Sequence, residues 1–131
     1  MLFRSPTTES LRVLIAEDNA VNALILTNML TKLNHSVEHV EDGAKAVARA
    51  LDGDIDIVFM DVHMPFLNGV EATKQIRQKY SAVELPIIGA TAGAFADQHS
   101  ECVGAGMNDV LVKPFPKERL LSILSSCRRH K

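Results

Sequence analysis

The segment Ile55-Asp56-Ile57-Val58-Phe59-Met60-Asp61 restricts the fold more tightly than any other stretch of the chain. Its β-branched and aromatic side chains run on almost without interruption, the pattern of a strand covered on both faces of a parallel sheet. The run then stops on a carboxylate. An ionised group is costly to bury, so Asp61 belongs at the carboxyl end of its strand, where open α/β sheets place their ligand sites, and Asp56 belongs at the opposite end. A lone aspartate after a strand often does no more than cap a turn. Asp61 is set apart by the charged residues that end the other strands.

From Leu11 onward, short apolar runs alternate with amphipathic stretches, and no internal repeat or low-complexity tract intervenes. Arg12 to Ala16 reads as a strand that breaks off into Glu17-Asp18-Asn19. Val21, Leu24, Ile25, Met29 and Leu33 then recur at helical spacing, with Asp18 or Asn19 as the N-cap. Ser36 to Val40 is a second strand, and Glu41-Asp42-Gly43 leads into an alanine-rich helix ending near Leu51. Asp52-Gly53-Asp54 turns the chain into the central strand, and a third helix follows Asn68-Gly69 to about Lys79. Pro86 to Ala90 is a fourth strand that delivers Thr91 to the same edge as Asp61. Ala94 to Ala105 is a weaker helix; its small residues, with Gly93 before it and Gly104 and Gly106 at its end, predict the least buried area and the greatest readiness to move. Asp109 to Val112 is a fifth strand ending on Lys113-Pro114, and a last helix runs from Pro116 to about Arg128.

Five such units joined by right-handed crossovers predict an α/β three-layer sandwich around a parallel five-stranded sheet. The order 2-1-3-4-5 suits a five-strand unit and puts the ends of strands one and three at the topological switch point. Glu17 and Asp18, Asp61, Thr91 and Lys113 then all leave the sheet at one edge. A chain of 131 residues has room for one domain with a sizeable core, and no window approaches the 18 or so apolar residues of a membrane span. A net charge of −2, without clustered lysine and arginine, argues against nucleic acid as a partner. The basic run Cys127 to Lys131 complements the dipole of a terminal helix. Cys102 and Cys127 show no CxxC spacing and read as reduced thiols, and residues 1–10 read as a linker or an expression remnant. His35 and His39 are spaced by four but fall on a turn and a strand, so they form no ligand pair; His99 and His130 read as surface residues.

Three gathered carboxylates repel one another, and a divalent ion relieves that repulsion. Oxygen-only ligands with no histidine or cysteine at zinc spacing favour a hard cation, Mg²⁺. Lys113 adds a mobile positive charge and Thr91 a hydroxyl donor around Asp61 as nucleophile, which is equipment for phosphoryl transfer. Nucleotide binding would need glycines and bare helix-start amides after strand one, yet Glu17 and Asp18 stand there and neither GxGxxG nor GxxxxGK[ST] occurs. A phosphorylation-independent interaction module with a vestigial site stays open as the alternative.

Glu17-Asp18, Asp61-Val62-His63-Met64-Pro65 with Asn68-Gly69, Ala90-Thr91-Ala92 and Lys113-Pro114-Phe115 together resemble the response-regulator receiver domains of two-component signalling. The likeness covers Leu11 to about Ser126 and implies a flavodoxin-like (βα)5 fold. It implies that Asp61 accepts a phosphoryl group from phosphohistidine, and that Glu17, Asp18, Asp61 and the backbone carbonyl of His63 hold Mg²⁺. Thr91 and Lys113 would bind phosphoryl oxygens, and the Lys113-Pro114 bond would be cis. Glu17 to Asn22 and Gly104 to Phe115 are similar to receivers at the ends of hybrid sensor histidine kinases, which implies a histidine phosphotransfer protein or a histidine kinase as partner. It also implies a monomeric isolated domain without direct membrane contact, cytoplasmic or tethered to the inner membrane through a parent kinase. Val110 departs from the aromatic residue that many receivers carry three positions before the lysine, so an aromatic-rotamer switch is not expected, and Phe115 reads as core packing. The helix-one face with Val21, Asn22 and Ile25 is the expected docking surface for a histidine donor.

Overall fold

Strand burial and alternation divide the side chains between two faces of one sheet, and the helices cover both. A computed structural model describes residues 10–64, 67–91, 96–113 and 115–128. The expected linker, the Lys113-Pro114 bond, Gly93 and the basic tail beyond residue 128 lie outside the described residues. In chain order the elements are β1 (Arg12–Ala16), α1 (Ala20–Lys32), β2 (Ser36–Val40), α2 (Gly43–Asp52) and β3 (Ile57–Asp61). There follow α3 (Gly69–Ile76), β4 (Ile87–Thr91), α4 (Ala96–Ala105), β5 (Asp109–Val112) and α5 (Lys117–Arg128). The strands form one parallel sheet in the order β2-β1-β3-β4-β5, as the sequence predicts.

Because side chains alternate along a strand, Val13, Ile15, Ile57, Phe59, Ile88 and Leu111 pack with α1 and α5 on one face. Leu14, Val58, Met60, Ile87 and Val110 pack with α2, α3 and α4 on the other. The central strand is buried at all five positions, which is why its sequence does not alternate. Val110 lies in this core, and Phe115 packs against the opposite one, as read from the sequence. No helix among the described residues is long and apolar enough to cross a membrane.

Polar caps set where the helices begin. Asn19 accepts from the N–H groups of Val21 and Asn22, Asp42 from Lys45 and Asn68 from Glu71. Some boundaries differ from the sequence reading. The central strand begins at Ile57 and not Ile55; Asp56, just before it, donates its N–H to the Arg12 carbonyl and accepts the Arg12 N–H on its carboxylate, both at 2.8 Å, so its side chain closes the entry of the strand. The fourth strand includes Thr91, and Pro86 stands just outside it, giving its carbonyl to the Val58 N–H at 3.0 Å. Helix α3 stops at Ile76, three residues early, and tightens into turns in which Gln78 and Lys79 donate to the carbonyls three residues back.

Arg77, at that early stop, closes the sheet edge remote from Asp61. Its guanidinium donates to the carbonyls of Gly106 and Leu85 at 2.8 Å each, and to those of Tyr80 and Ser81 at 3.3 and 3.2 Å. It also reaches Asn108 Oδ1 at 2.9 Å, an oxygen that accepts the Ile87 N–H as well. The end of α3, the approach to β4 and the turn before β5 are thereby held by one side chain. Burial of the charge pushes the Arg77 pKa down, and neutral carbonyls rather than a carboxylate surround it. Arg77→Ala strands several carbonyls and is expected to lower unfolding free energy by about 2–3 kcal/mol in urea denaturation, with the slope unchanged. A loss within error of zero contradicts this role.

Candidate functional site

The carboxyl ends of the strands bring together residues far apart in the chain. Asp61 is the last residue of β3 and pairs with Ala90 of β4, so Thr91 stands one position beyond it. Glu17 and Asp18 leave the end of β1 where Ala16 pairs with Met60, and Lys113 follows β5, its N–H donating to the Thr91 carbonyl at 2.7 Å. Glu17, Asp61 and Thr91 are buried, Lys113 is half-buried, and Asp18 and His63 are exposed. The loop after Asp61 is drawn tight: a Cβ on Gly69 would run into the Asp61 carbonyl, and one on Gly43 into that of Leu67. Both glycines are therefore fixed by close backbone approach.

One ligand oxygen from each of Glu17, Asp18 and Asp61 lies within 4.8 Å of the others. Lys113 Nζ donates to Glu17 Oε1 at 2.7 Å and stands 3.6 Å from Asp61 Oδ1, so its shorter bond is to the glutamate and not to the central aspartate. The Asn19 N–H reaches Glu17 Oε2 at 3.3 Å, and the His63 N–H reaches Asp61 Oδ1 at 3.3 Å. His39, read from the sequence as uninvolved, donates from Nε2 to the Glu17 carbonyl at 2.8 Å. Nothing in its spacing signals this contact, which depends on the pairing of β1 with β2.

Burial pushes the Asp61 carboxyl up to about 7, helped by a hydrogen bond with Glu17 and by the negative charge of that neighbour. The Lys113 ammonium and the His63 N–H pull the other way without cancelling the rise. An all-oxygen donor set with surplus negative charge is chemically matched to a hard cation. Beside it, a cavity of about 310 Å³ lies among Ile25, Leu26 and Met29 of α1, Phe115 and Lys113.

The folded pKa of Asp61 lies above the ordinary carboxylate value. Between about pH 4 and pH 7 the folded state therefore holds a proton that the unfolded chain has released, and metal-free stability falls as pH rises through that window. Asp61→Asn removes this slope. In chelator-containing buffer the variant is expected to exceed wild type at pH 8 by on the order of 2–4 kcal/mol in urea denaturation and to converge with it near pH 4. Equal stability at pH 8 contradicts the assignment.

The response regulator receiver domain family matches residues 13–125. The autoinducer 2 sensor kinase/phosphatase LuxQ of Vibrio vulnificus (strain YJ016) is 36% identical over 122 residues, which cover 93% of this chain and 14% of LuxQ. The signal transduction histidine-protein kinase BarA of Escherichia coli (strain K12) is 35% identical over 115 residues, covering 88% of this chain and 12% of BarA. The chain thus spans a small fraction of the length of these curated relatives. Among solved structures, the receiver domain of sensor histidine kinase PA1611 from Pseudomonas aeruginosa PAO1 has a magnesium ion coordinated in its active site cleft. It superposes with a TM-score of 0.85 at 37% identity, covering 92% of this chain and 99% of that one. The chemotaxis protein CheY4 of Vibrio cholerae superposes with a TM-score of 0.82 at 28% identity, covering 91% and 99%. Sheet order, acidic cluster and sequence likeness agree, and the chain belongs to the response regulator receiver domain family.

Proposed function

We propose that Asp61 takes up a phosphoryl group from phosphohistidine and passes or reports it within a phosphorelay, as the receiver portion of a hybrid sensor histidine kinase. The observation that carries this reading is the meeting of Glu17, Asp18 and Asp61 within 4.8 Å, with the Lys113 ammonium 3.6 Å from Asp61. Glu17, Asp18, Asp61 and the backbone carbonyl of His63 would hold Mg²⁺, which when bound offsets the charge of carboxylates and phosphoryl oxygens. An Asp61 oxygen attacks phosphorus while the bond from phosphorus to the imidazole nitrogen breaks, the electron pair staying on that nitrogen. Lys113, already between Glu17 and Asp61, faces the incoming negative charge, and the Thr91 hydroxyl donates to a phosphoryl oxygen. Engagement of the buried Thr91 hydroxyl would bias the equilibrium position of α4.

A histidine donor must reach Asp61, and α1 offers the face beside it. Val21, Leu24 and Ile25 are 65%, 60% and 54% exposed, and the twelve residues from Ala20 to Thr31 carry no charge. The partner is a histidine phosphotransfer protein or the kinase itself, meeting α1 through an uncharged apolar helix face. The domain works on the cytoplasmic side, tethered through its parent kinase.

Asp61→Asn is expected to abolish Mg²⁺-dependent labelling by a phosphorylated phosphotransfer protein; full labelling of that variant moves the acceptor elsewhere. Mg²⁺ competes with the Asp61 proton, so its affinity in calorimetric titration is expected to fall as pH drops below about 7, approaching tenfold per unit. Affinity that stays flat from pH 8 to pH 5 speaks against Asp61 as a ligand. Val21→Ser with Ile25→Ser is expected to slow phosphoryl transfer by about tenfold while leaving Mg²⁺ affinity unchanged.

A further inference from the structure

Where β1 runs out, the sheet loses a backbone donor and a side chain takes its place. The ladder between β1 and β2 pairs Ala16 with Val40, and the Glu17 N–H continues it by donating to the Val40 carbonyl at 3.0 Å. A parallel ladder would next bring the N–H of residue 42 to the Glu17 carbonyl. The chain has by then turned away, since Asp42 is the N-cap of α2. The Glu17 carbonyl is met instead by Nε2 of His39, at 2.8 Å, from an exposed position on the edge strand. A carbonyl can only accept, so Nε2 carries the proton in this contact.

We infer that His39 is a positioning residue for the acidic pair, holding the plane of the Glu17-Asp18 peptide so that both carboxylates face the cation site together. The peptide unit is rigid, and fixing the Glu17 carbonyl also fixes the N–H and Cα of Asp18. That matters more for Asp18 than for Glu17. Glu17 has its own side-chain anchors in Lys113 and the Asn19 N–H. Asp18 is exposed and has no side-chain hydrogen bond among the described residues, so its backbone sets where its carboxylate points. His39 touches neither cation nor phosphoryl group; it acts through the backbone, as outer partners of metal ligands do.

The inference rests on the reading that Glu17, Asp18 and Asp61 bind Mg²⁺, and the test separates the two. Mg²⁺ is titrated calorimetrically into wild type, His39→Phe and His39→Gln at pH 8, and the same proteins are melted in chelator. His39→Phe keeps a flat ring without a donor, whereas His39→Gln returns an amide N–H at similar reach. His39→Phe is expected to bind Mg²⁺ on the order of tenfold more weakly, and His39→Gln to restore most of the affinity. Melting temperatures in chelator are expected to agree across the three within a few degrees, because His39 itself is exposed and the bond only part-buried. Wild-type affinity in His39→Phe, or equal weakness in both variants, overturns the positioning role and leaves the cation site standing. No Mg²⁺ binding by wild type overturns the cation site and this inference with it.

Discussion

Carboxylates crowded at the end of a sheet dominate this protein. Glu17 and Asp61 are both buried, Asp18 stands beside them, and the single ammonium of Lys113 bonds Glu17 at 2.7 Å while remaining 3.6 Å from Asp61. One cation cannot balance the set, and Asp61 responds by holding its proton up to about neutral pH. An aspartate in that state is a poor nucleophile. The same imbalance suits the set to a divalent cation, whose charge would let Asp61 ionise. Under the proposed function, cation binding and the readiness of Asp61 as acceptor would be one electrostatic property.

The fold keeps that tension in place by anchoring everything behind it. Both faces of β3 are sealed, so Asp61 leaves the core in one direction only. Gly69 and Gly43 let backbone close to contact distance around the loop that follows, where any Cβ would push it outward. At the far edge Arg77 binds the end of α3, the start of β4 and the turn after α4 into one unit. The C-terminal end of α4 is therefore held at Gly106, and among its described side chains Cys102 and Ala105 enter the core.

Helix α1 serves two surfaces at once. Its inner residues Leu26 and Leu30 belong to the core under the sheet, while Val21, Leu24 and Ile25 face outward without charges among them. Between α1 and Phe115 the packing stays open, leaving the cavity that reaches Lys113. An apolar surface bordering the Lys113–Glu17 ion pair would let a docked partner exclude water from Asp61 under the proposed function.

Much of this was written in the chain itself. The apolar run into Asp61, the caps Asn19 and Asn68 and the strand-terminal charges determined the sheet, its order and the membership of the acidic cluster, because period, capping and burial act over a few residues. Tertiary structure decided which charge grips which. Lys113 reaches Glu17 across 96 residues, and His39 meets the Glu17 carbonyl across 22 only because β2 turns into α2 one step too early to supply a backbone donor. The early end of α3 likewise depends on where Arg77 finds its carbonyls, in segments up to 31 residues away. Hydrogen-bond partners are chosen by distance in space, and only the packed sheet sets those distances.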